Sequence, residues 1–172
     1  MNEIRDESRP ITHAGGQQAT EQLVVGTLRE FIVGLAHIGY VVEDMAAAIA
    51  RFKHIYGVDD DAIRVIPPLG SSEAVETRFA FVNIGVVEFE LIEPVSEYFR
   101  NILFARPSGI GGINHVAFEV KNIEQAVECM QKAGVPPGHV TPNGVVNFGN
   151  KKLVYFDPQT AGMLLELIEI SH

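Results

Sequence analysis

Two stretches of this chain are copies of one another, and each carries a histidine that a buried strand does not need. Gly112-Ile113-Asn114-His115-Val116-Ala117-Phe118-Glu119-Val120 reads as an apolar strand with one histidine inside it. Gly34-Leu35-Ala36-His37-Ile38-Gly39-Tyr40-Val41-Val42 repeats the layout 78 positions earlier, counting from His115 back to His37. The far ends of the two halves match as well. Phe89-Glu90-Leu91-Ile92-Glu93 returns as Leu165-Glu166-Leu167-Ile168-Glu169, an offset of 76 from Glu90 to Glu166. An offset held to within two residues along a whole half indicates internal duplication, which restricts the fold to two like modules sharing a core.

Both halves follow one plan, strand, helix, then three strands, although only two strands after the helix can be placed in the second. In the first, a strand over 33–42 gives way to a helix with Asp44 as its N-cap. Met45, Ala48, Ile49 and Phe52 recur at helical spacing, and Gly57 ends the helix. A short strand over 62–66 follows, then a hairpin of 77–84 and 86–92 turning at Gly85 and stopped by Pro94. A linker over 95–111 holds a short helix at 97–103 and a turn at 107–109. In the second half a strand over 112–120 precedes a helix with Asn122 as N-cap, the stripe Ile123, Ala126, Val127 and Met130, and Gly134 as its end. A Pro/Gly/Asn-rich loop over 135–150 leads to strands at 152–156 and 163–168, separated by a turn at 157–162. The expected fold is therefore α+β. Two tandem βαβββ modules, repeat one over 33–94 and repeat two over 112–170, pair into an open, curved, eight-stranded mixed sheet with helices outside. A concave sheet of this kind suits a small-molecule site.

Residues 1–32 stand apart as a leader or arm. Positions 1–18 are polar, include His13, and read as disordered; 19–32 could form a short helix or an extended arm, weakened as a helix by Gly26. The domain proper is expected over 33–172. A net charge of −9 excludes a nucleic-acid surface and an anionic membrane as partners. An anionic small substrate would need local cations. No run approaches the roughly 18 apolar residues of a membrane span, and Cys129 is alone, so no disulfide framework exists and a reducing, cytoplasmic setting is the simple expectation.

Duplication places two histidines on first strands and two glutamates on last strands. Side chains alternate along a strand, so Leu35, Gly39 and Val41 share the His37 face, and Ile113, Ala117 and Glu119 the His115 face. The residue two after each histidine, Gly39 or Ala117, is small enough to leave room beside an imidazole. A lone strand histidine is more often a hydrogen-bonded core residue, and Glu90 and Glu166 could sit on a solvent face. Four such residues at equivalent positions favour one divalent metal held by two neutral nitrogens and two carboxylates, which would also offset the cost of burying them.

The plan resembles the vicinal-oxygen-chelate superfamily, which includes glyoxalase I, methylmalonyl-CoA epimerases, extradiol dioxygenases and bleomycin-resistance proteins. The segments AHIGYVVEDMAAAIARF, FVNIGVVEFELIEP, GGINHVAFEVKNIEQAV and GMLLELIE carry the resemblance, which spans about residues 33–170 and is strongest toward the epimerases. The resemblance implies a metal set of His37, Glu90, His115 and Glu166 around one divalent ion (Co, Ni, Zn, Mn or Mg), with no organic cofactor. It implies an epimerase or isomerase that forms an enolate from a 2-substituted malonyl-type CoA thioester, with Glu166 and Glu73 as acid/base pair and Glu76 as competitor for the second role. Glu90, where epimerases often have Gln, also matches bacterial glyoxalase I, so a lactoylglutathione lyase or another diverged lyase or isomerase is the alternative; a binding module that kept the fold is the third. Asp157-Pro158-Gln159 stands where epimerases carry a His-Pro-Lys turn. Asn114 stands where they carry the non-ligand histidine of a His-His pair. A homodimer is the expected assembly.

Overall fold

The computed structural model describes residues 28–104 and 111–171; the leader over 1–27, with His13, and the turn at 107–109 lie outside the described residues. The elements follow the duplicated order. β1 (Ile32–Val41), α1 (Met45–Tyr56), β2 (Ile63–Ile66), β3 (Thr77–Ile84) and β4 (Val87–Pro94) form the first module, and α2 (Glu97–Phe104) leads out of it. β5 (Gly112–Val120), α3 (Ile123–Lys132), β6 (Val146–Phe148), β7 (Lys151–Phe156), the one-turn α4 (Pro158–Ala161) and β8 (Leu165–Ile170) form the second. All eight strands join one mixed sheet in the order β2-β3-β4-β1-β5-β8-β7-β6. β1 runs parallel to β4 and β5 parallel to β8, while β1 and β5 meet antiparallel at the centre. An approximate two-fold axis thus passes between β1 and β5, and the sheet curls around it into a half-barrel.

Helix formation follows from the apolar stripes. α1 begins where the Asp44 carboxylate accepts from the Ala47 amide at 2.9 Å, and ends at Gly57 in the left-handed region at φ 64°. Its buried Met45 and Phe52 pack with Val42, Ala80, Val82 and Leu91. In the second module Ile123, Ala126, Val127 and Met130 of α3 pack with Val120, Val154, Phe156, Leu165 and Leu167. Leu91 and Leu167 alternate with Glu90 and Glu166, so the helices cover one face of the sheet and leave the other concave and open. Phe99 and Leu103 of α2 close one end against Val41, Phe79 and Ile92.

Four details differ from the sequence expectation. β4 continues through Pro94, which pairs with Thr77 at the strand end where no further ladder donor is needed. The loop over 135–150 contains the short strand β6, paired to β7 across a turn at Gly149. The last strand starts at Leu165 because the turn after α4 has first to bring Leu165 opposite Phe156. Asn122 stands at the N-terminus of α3 with φ 55° and makes no side-chain cap. The Glu169 carboxylate takes that role, accepting from the Ile123 amide at 3.1 Å, and Glu93 accepts from the Met45 amide at 3.1 Å in the first module. The repeated Glu-Leu-Ile-Glu run therefore sends its first glutamate to the concave face and its last, of opposite parity, to a helix N-terminus, where a carboxylate meets unpaired N–H groups and the positive end of the helix dipole. Among the described residues, no helix is long and apolar enough to cross a membrane.

Candidate metal centre

The two histidines meet because β1 and β5 pair antiparallel in one register: His37 lies opposite Ala117, and Gly39 opposite His115. The gap left by each small residue is filled by the histidine of the other module. It is closest at Gly39, where an added Cβ would lie 2.1 Å from His115 Cε1 and 2.3 Å from Nδ1. Each histidine follows a residue that has no partner in the ladder, Ala36 in β1 and Asn114 in β5. Such bulges bend the strand and re-aim the next side chain. They also break strict alternation: Leu35 and Ile113, expected beside the histidines, are 46% and 65% exposed.

Glutamates complete the set by register. Glu90 pairs with Gly39 across β4 and β1, and Glu166 with Ala117 across β8 and β5. His37, His115 and Glu166 are buried, and one donor atom from each of the four residues lies within 4.8 Å of the others. His37 Nε2 is 3.0 Å from His115 Nε2, 3.2 Å from Glu166 Oε2 and 3.3 Å from Glu90 Oε2. His115 Nε2 is 3.1 Å from Glu166 Oε2 and 3.5 Å from Glu90 Oε2. Ligands held about 2.1 Å from one ion are separated by about 3.0 Å at right angles and about 3.4 Å at the tetrahedral angle. Four of the five separations fall in that range, and the His115–Glu90 distance of 3.5 Å lies just above it.

Protons alone fit the group poorly. Burial opposes charging His37, but Glu166 and Glu90 outweigh it and lift its pKa to about 9. Burial opposes charging Glu90 too, yet His115 and His37 hold it down at about 2. His115 is raised and Glu166 lowered by the same contacts against the same burial. A proton on both Nε2 atoms would set two N–H donors facing one another at 3.0 Å. Glu166 Oε2, although near both imidazoles, is buried with no hydrogen bond of its own. Asn114 Oδ1 lies 3.1 Å from His115 Nδ1. Assigning that ring N–H as the donor leaves the Nε2 lone pair aimed at the cluster, as an imidazole metal ligand requires. The donor set and its spacing therefore suit one divalent cation.

The cluster opens into a cavity of about 530 Å³ on the concave face, within the usual range for small-molecule sites. Tyr155 and Phe81 occupy equivalent places beside the two glutamates, Tyr155 opposite Glu166 and Phe81 opposite Glu90. Burial, and then the charges of Glu166 and Glu90, push the Tyr155 hydroxyl well above its ordinary range, so it stays protonated as a donor toward Glu166. Glu73 does not line this cavity. It is exposed in the connection between β2 and β3, as is Glu76, and β3 presents Thr77, Phe79 and Phe81 to the cavity instead. Glu90 and Glu166 are the only carboxylates lining the cavity among the described residues. Tyr155, His139, Arg64 and Lys151 also line it and were not signalled by the sequence; Tyr155 could have been found as the register partner of Glu166 once the hairpin was placed.

A duplicated half-barrel with four convergent donors on its open face defines a class of small-molecule proteins that could each hold one metal ion. The family model for the Glyoxalase/Bleomycin resistance protein/Dioxygenase superfamily matches residues 36–156, and the chain belongs to that superfamily. The human mitochondrial methylmalonyl-CoA epimerase is 26% identical over 135 residues, 78% of this chain and 72% of the relative. The ethylmalonyl-CoA/methylmalonyl-CoA epimerase of Cereibacter sphaeroides is 26% identical over 139 residues, 79% of this chain and 97% of the relative. The crystal structure of methylmalonyl-CoA epimerase from Mycobacterium tuberculosis shares the fold with a TM-score of 0.60 at 21% identity, covering 82% of this chain and 90% of that one.

Proposed function

We propose that the chain is a metal-dependent, epimerase-like isomerase that forms an enolate from a 2-substituted malonyl-type CoA thioester. The observation that carries the reading is the pair of carboxylates, Glu90 and Glu166, related by the two-fold axis on either side of the histidines and facing a cavity of substrate size. Methylmalonyl-CoA epimerases among the relatives support it. A divalent ion held by His37, Glu90, His115 and Glu166 would supply Lewis acidity toward a substrate carbonyl, and such a set admits Co, Ni, Zn, Mn or Mg.

Glu166 is the base in this reading. Its carboxylate lines the cavity, and it would have to act as both ligand and base, or leave the ion while it accepts the α-proton. The Tyr155 hydroxyl supports that carboxylate from the neighbouring strand. Asn114 holds His115 in one tautomer. The second acid/base group, expected at Glu73, passes to Glu90, because Glu73 lies outside the cavity and Glu90 stands across the axis from Glu166. A carboxylate on each side of a planar enolate allows the proton to leave one face and return on the other.

A second reading follows from the lack of a third carboxylate in the cavity among the described residues. One base that moves a proton between adjacent carbons suffices for a lactoylglutathione lyase acting on a hemithioacetal. Incubation of the metal-loaded protein with methylmalonyl-CoA in heavy water separates the two. Metal-dependent loss of the α-proton signal supports the epimerase; hemithioacetal turnover without that exchange transfers the assignment to the lyase.

A further inference from the structure

The concave face holds two cations that no carboxylate neutralises. Arg64 of β2 pairs in register with Phe81 of β3, and its guanidinium carbon lies 4.3 Å over the Phe81 ring. Lys151 comes from the other module, at the start of β7, and its Nζ lies 5.7 Å from the centre of the same ring. All three residues line the cavity. Among the described residues neither cation forms an ion pair, whereas Arg78 is paired with Glu93, Lys53 with Asp60 and Lys152 with Glu124. The contrast between Lys151 and Lys152 is the most direct. They are adjacent and point to opposite faces, and the outward one meets a carboxylate while the inward one meets an aromatic ring.

In a chain with a net charge of −9, two cations without a carboxylate partner, brought together from separate modules against one ring on the cavity wall, are placed to take a ligand of opposite sign. We propose that Arg64, Lys151 and Phe81 form a subsite for an oxyanion, a phosphate group, at the end of the substrate remote from the metal centre. Phe81 lies between Arg64 and Glu90 in successive registers. Two strand spacings put the subsite about 10 Å from the cluster. An extended ligand can therefore engage both ends of the cavity. The guanidinium offers paired donors suited to an oxyanion, the ammonium adds a point charge, and the ring fixes both heads by cation–π contact.

The assignment rests on the reading of the substrate as an anionic thioester, and equilibrium binding tests it without turnover. The metal-loaded protein is titrated with coenzyme A, with methylmalonate and with uncharged pantetheine, alongside Arg64→Gln, Lys151→Gln and their double variant. The expected result is a loss of about tenfold in affinity for coenzyme A for each cation removed, a parent affinity that weakens with salt, and no change for pantetheine. A loss confined to coenzyme A supports a phosphate at the remote end, and a loss confined to methylmalonate, whose carboxyl groups flank the reacting carbon, overturns that placement. Arg64→Lys retains the charge and recovers most of the affinity, and Lys152→Gln, on the outer face, leaves it at the parent value; thermal unfolding verifies that each variant folds. Parent-like affinity of the double variant for coenzyme A, or failure of the parent to bind it, overturns the subsite. Failure of α-proton exchange in the parent refutes the epimerase reading alone.

Discussion

Gly39→Ala tests the metal centre through a single methyl group. Gly39 sits in ordinary extended backbone, so alanine meets no conformational obstacle there, and the effect is steric. The added Cβ would lie 2.1, 2.3 and 2.6 Å from Cε1, Nδ1 and Nε2 of His115. Non-bonded heavy atoms settle near 3.5 Å, so the imidazole has to withdraw by roughly 1 Å or more. Metal–ligand distances tolerate about 0.2 Å, so His115 leaves the set, and its 3.1 Å contact with Asn114 is disturbed with it. The expected loss of metal affinity is at least 10- to 100-fold, about the effect of disturbing a ligand's support. Metal-free stability should fall by about 1–3 kcal/mol, the usual cost of overpacking a buried site. Isothermal titration with Zn or Co reads the first quantity and urea unfolding the second. Gly34→Ala on the same strand meets nothing within 4 Å and serves as the control. If Gly39→Ala binds metal as tightly as the parent while Gly34→Ala behaves normally, His115 is not a ligand and the proposed set is refuted.

Other outcomes follow from the same geometry. Glu166→Gln should cut α-proton exchange by about 100-fold or more and weaken metal binding, measured by NMR in heavy water and by titration. Asn114→Ala should lower metal affinity by about tenfold by releasing the His115 tautomer, and Asn114→Asp should recover part of it, since a carboxylate also accepts from Nδ1–H. In the metal-free protein, His37 is raised from 6.5 to about 9, so its stabilisation is complete below pH 6.5 and lost as pH rises through 9; Glu90 is lowered from 4.5 to about 2, so its stabilisation is complete above pH 4.5 and lost as pH falls through 2. Thermal unfolding should therefore peak between pH 4.5 and 6.5 without metal, whereas apparent metal affinity should rise about tenfold per pH unit toward pH 9 as one proton is displaced. Glu93→Gln and Glu169→Gln should each destabilise the fold by about 1 kcal/mol in urea unfolding while leaving metal titrations at the parent value.

The duplicated strands, both helices and the β3–β4 hairpin were legible because their signals are local: an apolar run, a stripe at helical spacing, a glycine at a turn. The four donors were legible because duplication repeats them. The tertiary consequences were less so. Sequence showed that Gly39 and Ala117 are small but placed each gap beside its own histidine, since only the antiparallel register of β1 with β5 reveals that each serves the other's. Strict alternation misassigned Leu35 and Ile113, because a bulge leaves no periodic trace in a strand of mixed apolar residues. Asn122 looked like a cap by residue type, yet the cap comes from Glu169, 47 positions later. Glu73 was placed in the site by likeness of position, and a polar connection gave no local signal of which way it turns. Arg64 and Lys151 drew no attention, because they come together only when the two wings of the sheet curl toward each other.

Duplication explains the donors, and divergence between the copies gives the two sides of the cluster different surroundings. The convergent donor atoms are nearly symmetric, with a histidine and a glutamate from each module. Their neighbours are not. Tyr155 sits opposite Glu166 where Phe81 sits opposite Glu90, so one carboxylate has a hydroxyl donor beside it and the other has an apolar ring. Asn114 occupies the bulge before His115 where Ala36 occupies the bulge before His37, so one imidazole is held through Nδ1 by a side chain. The cations add a third asymmetry, since Arg64 and Lys151 both gather on Phe81 and neither on Tyr155. A ligand anchored at Phe81 and reaching the cluster would therefore enter from the Glu90 side with one orientation. Tyr155→Phe removes one of these differences without changing a donor. It should reduce exchange at Glu166 several-fold, with metal affinity within about twofold of the parent; an unchanged rate would show that the hydroxyl does not tune the base.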